Sequence, residues 1–271
     1  MKLIARIFLW VAAILVLIPL AWTLIQSFKT SQEFFESVWT LPQTLHIDNY
    51  INAWNEANMG QYFFNSIFVA TLGVVFSLLM AVPAAYCLAR YSFFGSKVIF
   101  FIFTAGLFIQ ATYVLVPLFT LLKSWNLLNN MIVLSLVYAV SNLPFTIFLL
   151  TSFIRGISRS YEEAAMVDGA TKLQIMTKVI GPLIQPGIMT VVIFNFMAYW
   201  NEFPMAFTFL TDETKKTLPV GLENLMEVQR FSTDWGALFA GMVIVLIPIV
   251  IIYVILNEKL TEGVNVGGIK G

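Results

Sequence analysis

Polar side chains are sparse in the apolar stretches of this chain, and the few present recur at helical spacing. Asn195, Tyr199 and Glu202 fall at i, i+4 and i+7, and Tyr138, Asn142 and Thr146 follow the same logic, so each trio occupies one helical face. Asn201 stands beside the first trio. Amides and phenols beside aromatic planes can exchange hydrogen bonds with a hydroxyl-rich solute and stack on the faces of a sugar ring. The same groups also join helices to one another. Tyr138, Asn142, Asn195, Tyr199, Asn201 and Glu202 are the candidates for a solute path. Nothing points to bond-making chemistry. Cys87 is single and cannot form an internal disulfide, and the lone His46 cannot build a multi-histidine metal site. Neither catalytic residues nor a metal site are expected.

A second group of chemistry-bearing residues lies in the polar stretch SRSYEEAAMVDGATKLQIMTKVIGPLIQP, Ser158 to Pro186. Ser160 followed by Glu163 has the form of a capping box, and Glu162 and Glu163 fall in a first turn, where acidic side chains favour the helix dipole. Gly169 after Asp168 predicts a C′ residue with positive φ that ends this helix. A second amphipathic helix is predicted from about Thr171 to Ile180, stopped by Gly181 and Pro182. Ala164 and Ala165 leave a low surface flanked by Tyr161, Met166 and Val167. On physical grounds this stretch suits a membrane surface, helped by Lys172 and Lys178, as well as it suits a docking partner.

The elements that must position both groups follow from composition. Of 271 residues, 59% are hydrophobic and 11% charged, with mean hydropathy +0.84, against about 25% charged in a soluble domain. The chain therefore belongs in a bilayer. Apolar stretches at 7–28, 63–89, 98–122, 131–154, 187–210 and 236–256 each reach the roughly 20 residues a spanning helix needs. No small-residue cleavage site follows the first, which reads as a retained span. Pro19, Pro83, Pro117, Pro144, Pro204 and Pro248 lie within these stretches and predict kinks.

With the N-terminus inside, only Lys29, Lys123, Lys215, Lys216 and Arg230 of the 15 Lys and Arg fall outside. That bias makes both termini cytoplasmic. The expected fold is an all-α membrane protein with six transmembrane helices, forming one domain over 1–271 with a cytoplasmic loop at 155–186 and a cytoplasmic tail at 257–271. Trp39, Tyr50, Trp54, Phe231 and Trp235 in the outer segments fit either an aromatic belt or a docking surface. Zero net charge offers nothing to nucleic acid.

The polar stretch resembles the signature loop of ATP-binding-cassette importer permeases, whose pattern is E-A-A, three residues, G, nine residues, I-x-L-P. Glu163, Ala164, Ala165, Gly169 and Pro182 match at the right spacing, while Val179 and Gly181 depart from it. FNSIFVA, LARYSFFGSK, NLPFTIFLLTSF, YWNEFPMAF and the tail GVNVGGIKG are similar to the carbohydrate-importing subfamily, in particular to the shorter, maltose-type second permease. The resemblance implies a permease subunit in a bacterial cytoplasmic membrane, working by alternating access. Its implied partners are a second permease, two ATPase subunits that carry ATP and Mg, and an extracytoplasmic sugar-binding protein, with no cofactor on this chain.

By the same resemblance Glu162, Glu163, Ala164, Ala165, Met166, Asp168, Gly169 and Ala170 form the ATPase-coupling site, with Glu163 in contact with the nucleotide-binding subunit. Gly267, Gly268 and Lys270 in the tail would reach the ATPase interface, and Glu202 in the W-N-E-F pattern would have a structural or gating role. The chain carries no G-x-x-x-x-G-K-[ST] phosphate loop and so is not itself the ATPase. A non-sugar cargo, or a secondary transporter driven by an ion gradient, are the alternatives. For the second, neither repeated halves nor a midplane charge pair is apparent.

Overall fold

The computed structural model describes residues 2–55, 57–229 and 234–267, and among them every regular element is helical. Segments α1 (Lys2–Gln26), α2 (Ser31–Glu36), α3 (Asp48–Asn55) and α4 (Met59–Arg90) come first. They are followed by α5 (Ser96–Gly106), a 3₁₀ turn at Ala111–Val114 and α6 (Leu115–Ser124). Next come α7 (Met131–Ser141), α8 (Leu143–Gly156) and the short α9 (Ser160–Val167). After α10 (Lys172–Gln174), a π-helical segment Ile175–Ile180 and α11 (Gly181–Leu183) lead to α12 (Gln185–Trp200) and α13 (Pro204–Phe209). A 3₁₀ turn at Glu213–Lys215 precedes α14 (Leu218–Gln229) and α15 (Trp235–Gly267). Helix throughout is what apolar surroundings dictate, because backbone polar groups must then be paired within the segment.

Among the described residues three helices are long and apolar enough to cross a membrane, Ile4–Gln26, Met59–Arg90 and Trp235–Val254. The number rises to five if the bent pairs Met131–Ser141 with Leu143–Gly156 (52°) and Lys172–Leu183 with Gln185–Trp200 (78°) each count once. The stretches at 98–122, 131–154 and 187–210, each expected to be kinked at a proline, are broken into two helices, the first ahead of Pro117 rather than at it. In the first, hydrogen bonds tighten to i→i+3 past Gly106, with Leu107, Phe108 and Ile109 N–H reaching Thr104, Ala105 and Gly106 carbonyls. In the other two the break precedes a proline, Pro144 or Pro204, which opens the next helix where its missing N–H costs nothing. Pro19, Pro83 and Pro248 instead sit inside continuous helices.

The chain divides into two compact units. In the unit formed by residues up to Phe64 with Lys216–Val250, the segment after α1 is fastened by buried polar groups. Lys29 is fully buried and donates from Nζ to the Ser37 carbonyl at 2.9 Å. Asn49 donates to the Ser27 and Lys29 carbonyls at 2.9 and 2.8 Å. A Cβ on Gly236 would meet both Asn49 Nδ2 and Lys29 O at 2.5 Å, so only glycine fits against them. A capping box starts α2, with Thr30 and Glu33 each accepting the other's N–H. Of the outer aromatics, Tyr50 bonds the Ser27 hydroxyl at 2.6 Å, Trp235 stacks on Phe34 at 5.2 Å, and Trp39 is exposed. Phe231 lies outside the described residues.

The second unit, Asn65–Lys215 with the chain from Ile251, holds both candidate sites. Ala81, Ala85 and Tyr86 of α4, Ile147, Leu150 and Ile154 of α8, and Ile180, Ile184 and Val191 further on form its apolar core. In a bilayer such a core is held by close packing of its side chains rather than by their withdrawal from water. The α5 and α8 helices approach closely at Gly106, where a Cβ would touch Pro144 at 3.0 Å.

Candidate functional site

The α9 helix begins one residue earlier than the sequence implied. Arg159 is its N-cap without a side-chain bond, so the expected capping box at Ser160 and Glu163 is absent. Ser160 is already helical, and Ser158 instead accepts its N–H at 3.3 Å. The other end follows the expectation. Gly169 has φ +80°, its N–H reaches Met166 O at 3.1 Å, and Ala170 N–H reaches Ala165 O at 2.9 Å, a Schellman closure.

The next segment corrects a second expectation. Thr171 and Gln174 form a capping box that starts α10, and the helix then runs through Gly181 and Pro182 rather than stopping there. The π turn explains this: Gly181 N–H bonds Met176 O, shifting the ladder by one residue ahead of the proline ring. A Cβ on Gly181 would crowd that carbonyl at 3.3 Å, which accounts for glycine where the signature pattern has leucine. The real break is at Ile184, with the 78° bend into α12.

Glu162 and Glu163, neighbours in sequence, part company in space. Glu163 is exposed, as are Tyr161, Ala164, Met166 and Val167, the last at 88%. Glu162 is buried. Its carboxylate is ion-paired with Arg90 Nε at the end of α4 and accepts the Tyr86 hydroxyl at 3.0 Å. Arg90 also donates to Ile157 O at 2.9 Å, and Arg159 donates to Arg90 O at 3.4 Å. Lys172 lies over the Tyr91 ring at 5.2 Å. Tyr86, Arg90, Glu162, Glu163 and Lys172 border a pocket of about 220 Å³. Ala165 packs on the core, while Asp168 is exposed and Ala170 half-buried. Tyr86 and Arg90 escaped the sequence reading.

The two polar faces converge. Tyr138 and Tyr199 stack at 5.5 Å, and the Tyr138 hydroxyl donates to Glu202 at 2.5 Å. The Glu202 carboxylate also accepts the Met205 and Ala206 N–H groups at 2.8 and 3.0 Å, serving the first turn of α13. The Tyr199 hydroxyl pairs with Ser77 at 2.6 Å, and Asn142 also reaches it. Asn195 donates to Thr146 at 2.9 Å, while its Oδ1 is buried and finds no partner among the described residues. Tyr138, Asn195 and Tyr199 are all buried. Asn201 is exposed, its amide bonded to Met197 O at 2.8 Å.

Residues 73–266 match the model of the family described as binding-protein-dependent transport system inner membrane component. The chain belongs to this family of permeases. It is 36% identical over 263 residues to the diacetylchitobiose uptake system permease protein NgcG of Streptomyces coelicolor, covering 97% of this chain and 86% of that protein. It is 35% identical over 257 residues to the sulfoquinovosyl glycerol transport system permease protein SmoH of Agrobacterium fabrum, covering 94% and 89%. Among solved structures it resembles a chain of a bacterial ABC transporter involved in the import of the acidic polysaccharide alginate, with TM-score 0.81, 26% identity and 95% of each chain covered.

The permease is thus a multi-pass inner-membrane component of an import system and is not itself catalytic, ATP hydrolysis residing in separate subunits. ATPase and substrate-binding partners come with the family. Of the expected tail contacts, Gly267 ends α15, and Gly268 and Lys270 lie outside the described residues.

Proposed function

We propose that this permease imports a sugar or oligosaccharide, as one of two homologous subunits served by two ATPase subunits and an extracytoplasmic sugar-binding protein. The chain crosses the membrane six times, α5 with α6 making one crossing, with both termini and the 155–186 loop in the cytoplasm. In this reading α9 is the coupling helix. Glu163, Ala164, Met166, Asp168 and Gly169 meet the ATPase, Ala165 and Ala170 hold the helix to its own core, and the tail from Gly267 approaches the same partner. Nucleotide-driven closure of the ATPases moves α9, and the helices attached to it turn to open the path to the other side. ATP and Mg stay on the partner.

The observation that carries this is the division of labour on α9: Glu162 and Ala165 anchor it to the core, while Tyr161, Glu163, Met166 and Val167 are exposed on the rest of its surface. A helix that merely lay on a membrane would bury its apolar side in lipid and leave its acids outward. The carbohydrate cargo draws support from the sugars named for NgcG and SmoH. Along the path, Asn201 is the group open to solute, and Tyr138, Asn142, Asn195, Tyr199 and Glu202 form the wall behind it.

The test is ATP hydrolysis by the assembled complex with its binding protein, screened over mono- and oligosaccharides and amino acids. Stimulation by a carbohydrate is expected. Stimulation only by amino acids or peptides would overturn the cargo, and sugar uptake by the chain alone without ATPase would overturn the subunit role.

A further inference from the structure

We infer that the Arg90–Glu162 pair is the clasp through which displacement of α9 is delivered to α4, making both positioning residues for transport. The inference rests on the docking reading above. By covalent connection α9 is tied to α8 through Ile157 and to α12 through α10. To α4, whose Tyr86 lies 76 residues away from Glu162, it is tied only by side chains.

Those side chains are arranged to grip. Tyr86 and Arg90 occupy one face of the last turns of α4 at i and i+4, and both bind the Glu162 carboxylate. The same guanidinium holds Ile157 O at 2.9 Å, and Arg159 returns a bond to Arg90 O. The end of α4 therefore holds both the chain entering α9 and its first turn. The two side chains are 5% and 11% exposed, so salt and water screen the pair little. Buried pairs of this kind add little net stability, yet separating them leaves an uncompensated charge. Movement of α9 must then carry the end of α4 with it.

Glu162→Gln and Arg90→Gln variants of the full complex are to be compared for sugar uptake per ATP hydrolysed. Cys87, the chain's single cysteine, is exposed and lies between the two gripping residues. With cysteine-free partners it carries an environment-sensitive label that reports ATP-driven movement of α4 without reference to cargo. The expected result is retained ATP hydrolysis, uptake per ATP lowered about tenfold, and loss of the ATP response at Cys87. The exchange Arg90→Glu with Glu162→Arg recovers both readouts.

Uptake and hydrolysis falling by the same factor, a label that still responds in the single variants, or an exchange that recovers neither readout would overturn the clasp. Should the single variants not assemble, Tyr86→Phe keeps the charge pair and removes one bond. A ratio unchanged in that variant also overturns it. Absence of sugar uptake by the unmodified complex counts against the cargo alone, since the label on Cys87 still decides the clasp.

Discussion

Replacing Gly169 by Ala isolates what backbone conformation contributes to the docking helix. Gly169 has φ +80°, and a Cβ built on it meets nothing within 4 Å. The substitution therefore introduces no clash, only the cost of a left-handed conformation for an L-residue, roughly 1–2 kcal/mol. The turn is closed by Gly169 N–H to Met166 O at 3.1 Å and Ala170 N–H to Ala165 O at 2.9 Å. Two such bonds contribute about 1 kcal/mol each. Strain and retaining bonds are then comparable, and the end of α9 opens in a substantial fraction of molecules. If the ATPase engages only the closed end, its apparent affinity falls in proportion to the closed fraction, which near-balance of strain and bonds leaves at about one half, a loss of about twofold. The measurement is titration of ATPase subunits onto the permease pair in lipid nanodiscs. Gly169→Asn should recover most of the loss, because asparagine tolerates positive φ. Wild-type affinity in the Ala variant would refute the dependence on this turn, and an Asn variant as weak as Ala would refute strain as its cause.

Further substitutions follow from the packing and the hydrogen bonds. A Cβ on Gly187 would lie 2.6 Å from the Phe153 ring, so Gly187→Ala should destabilise the second unit by about 1–3 kcal/mol through overpacking, and Phe153→Leu should relieve it in thermal unfolding. Tyr199→Phe leaves the buried Ser77 hydroxyl without its 2.6 Å partner at a cost of about 1–3 kcal/mol; a fall in uptake with unaltered thermal stability would instead make Tyr199 a solute ligand. Asn201→Ala should lower uptake while leaving thermal stability unchanged, the reverse of that pattern. Bonds from the Thr30 and Gln43 N–H groups and the His46 and Lys29 charges, Thr30 foremost, outweigh burial and hold the Glu33 carboxyl below its usual 4.5. Its folded-state value is the lower one, so its contribution is complete above about pH 4.5 and lost as pH falls through the folded-state value. Amide exchange over residues 30–43 should accelerate on that acid side, and Glu33→Gln should flatten the dependence; an unaltered profile in that variant would assign it to another group.

Hydrophobic length made the membrane helices legible, since each apolar stretch does contain helix. Their breaks were legible only where a proline announced them, at Pro144 and Pro204, and not at Leu107–Gln110, where a loosened ladder after Gly106 leaves no compositional mark. Caps divided along the same line. Gly169 could be read because positive φ nearly selects its residue, whereas Ser158, Ser160 and Thr171 are all acceptable caps and the chain uses the third fully. Gly181 and Pro182 were misleading because a π turn lets helix pass where an α ladder would be blocked. The polar faces were readable as faces but not as partners of each other, because the Tyr138–Glu202 and Asn195–Thr146 bonds depend on how α7, α8 and α12 are brought together.

The acid pair shows why the coupling site in particular resists reading along the chain. A helix turns about 100° per residue, so once Glu162 points at Arg90 its neighbour Glu163 must point away. Which acid goes inward is decided by a basic residue on another helix, and nothing local encodes it. Reversing the arrangement would bury Glu163 without a cation and expose Glu162 without need, at a cost of several kcal/mol for the unpaired charge. The outward acid is therefore free for a partner because the inward one is not, and the two roles cannot be exchanged without moving Arg90.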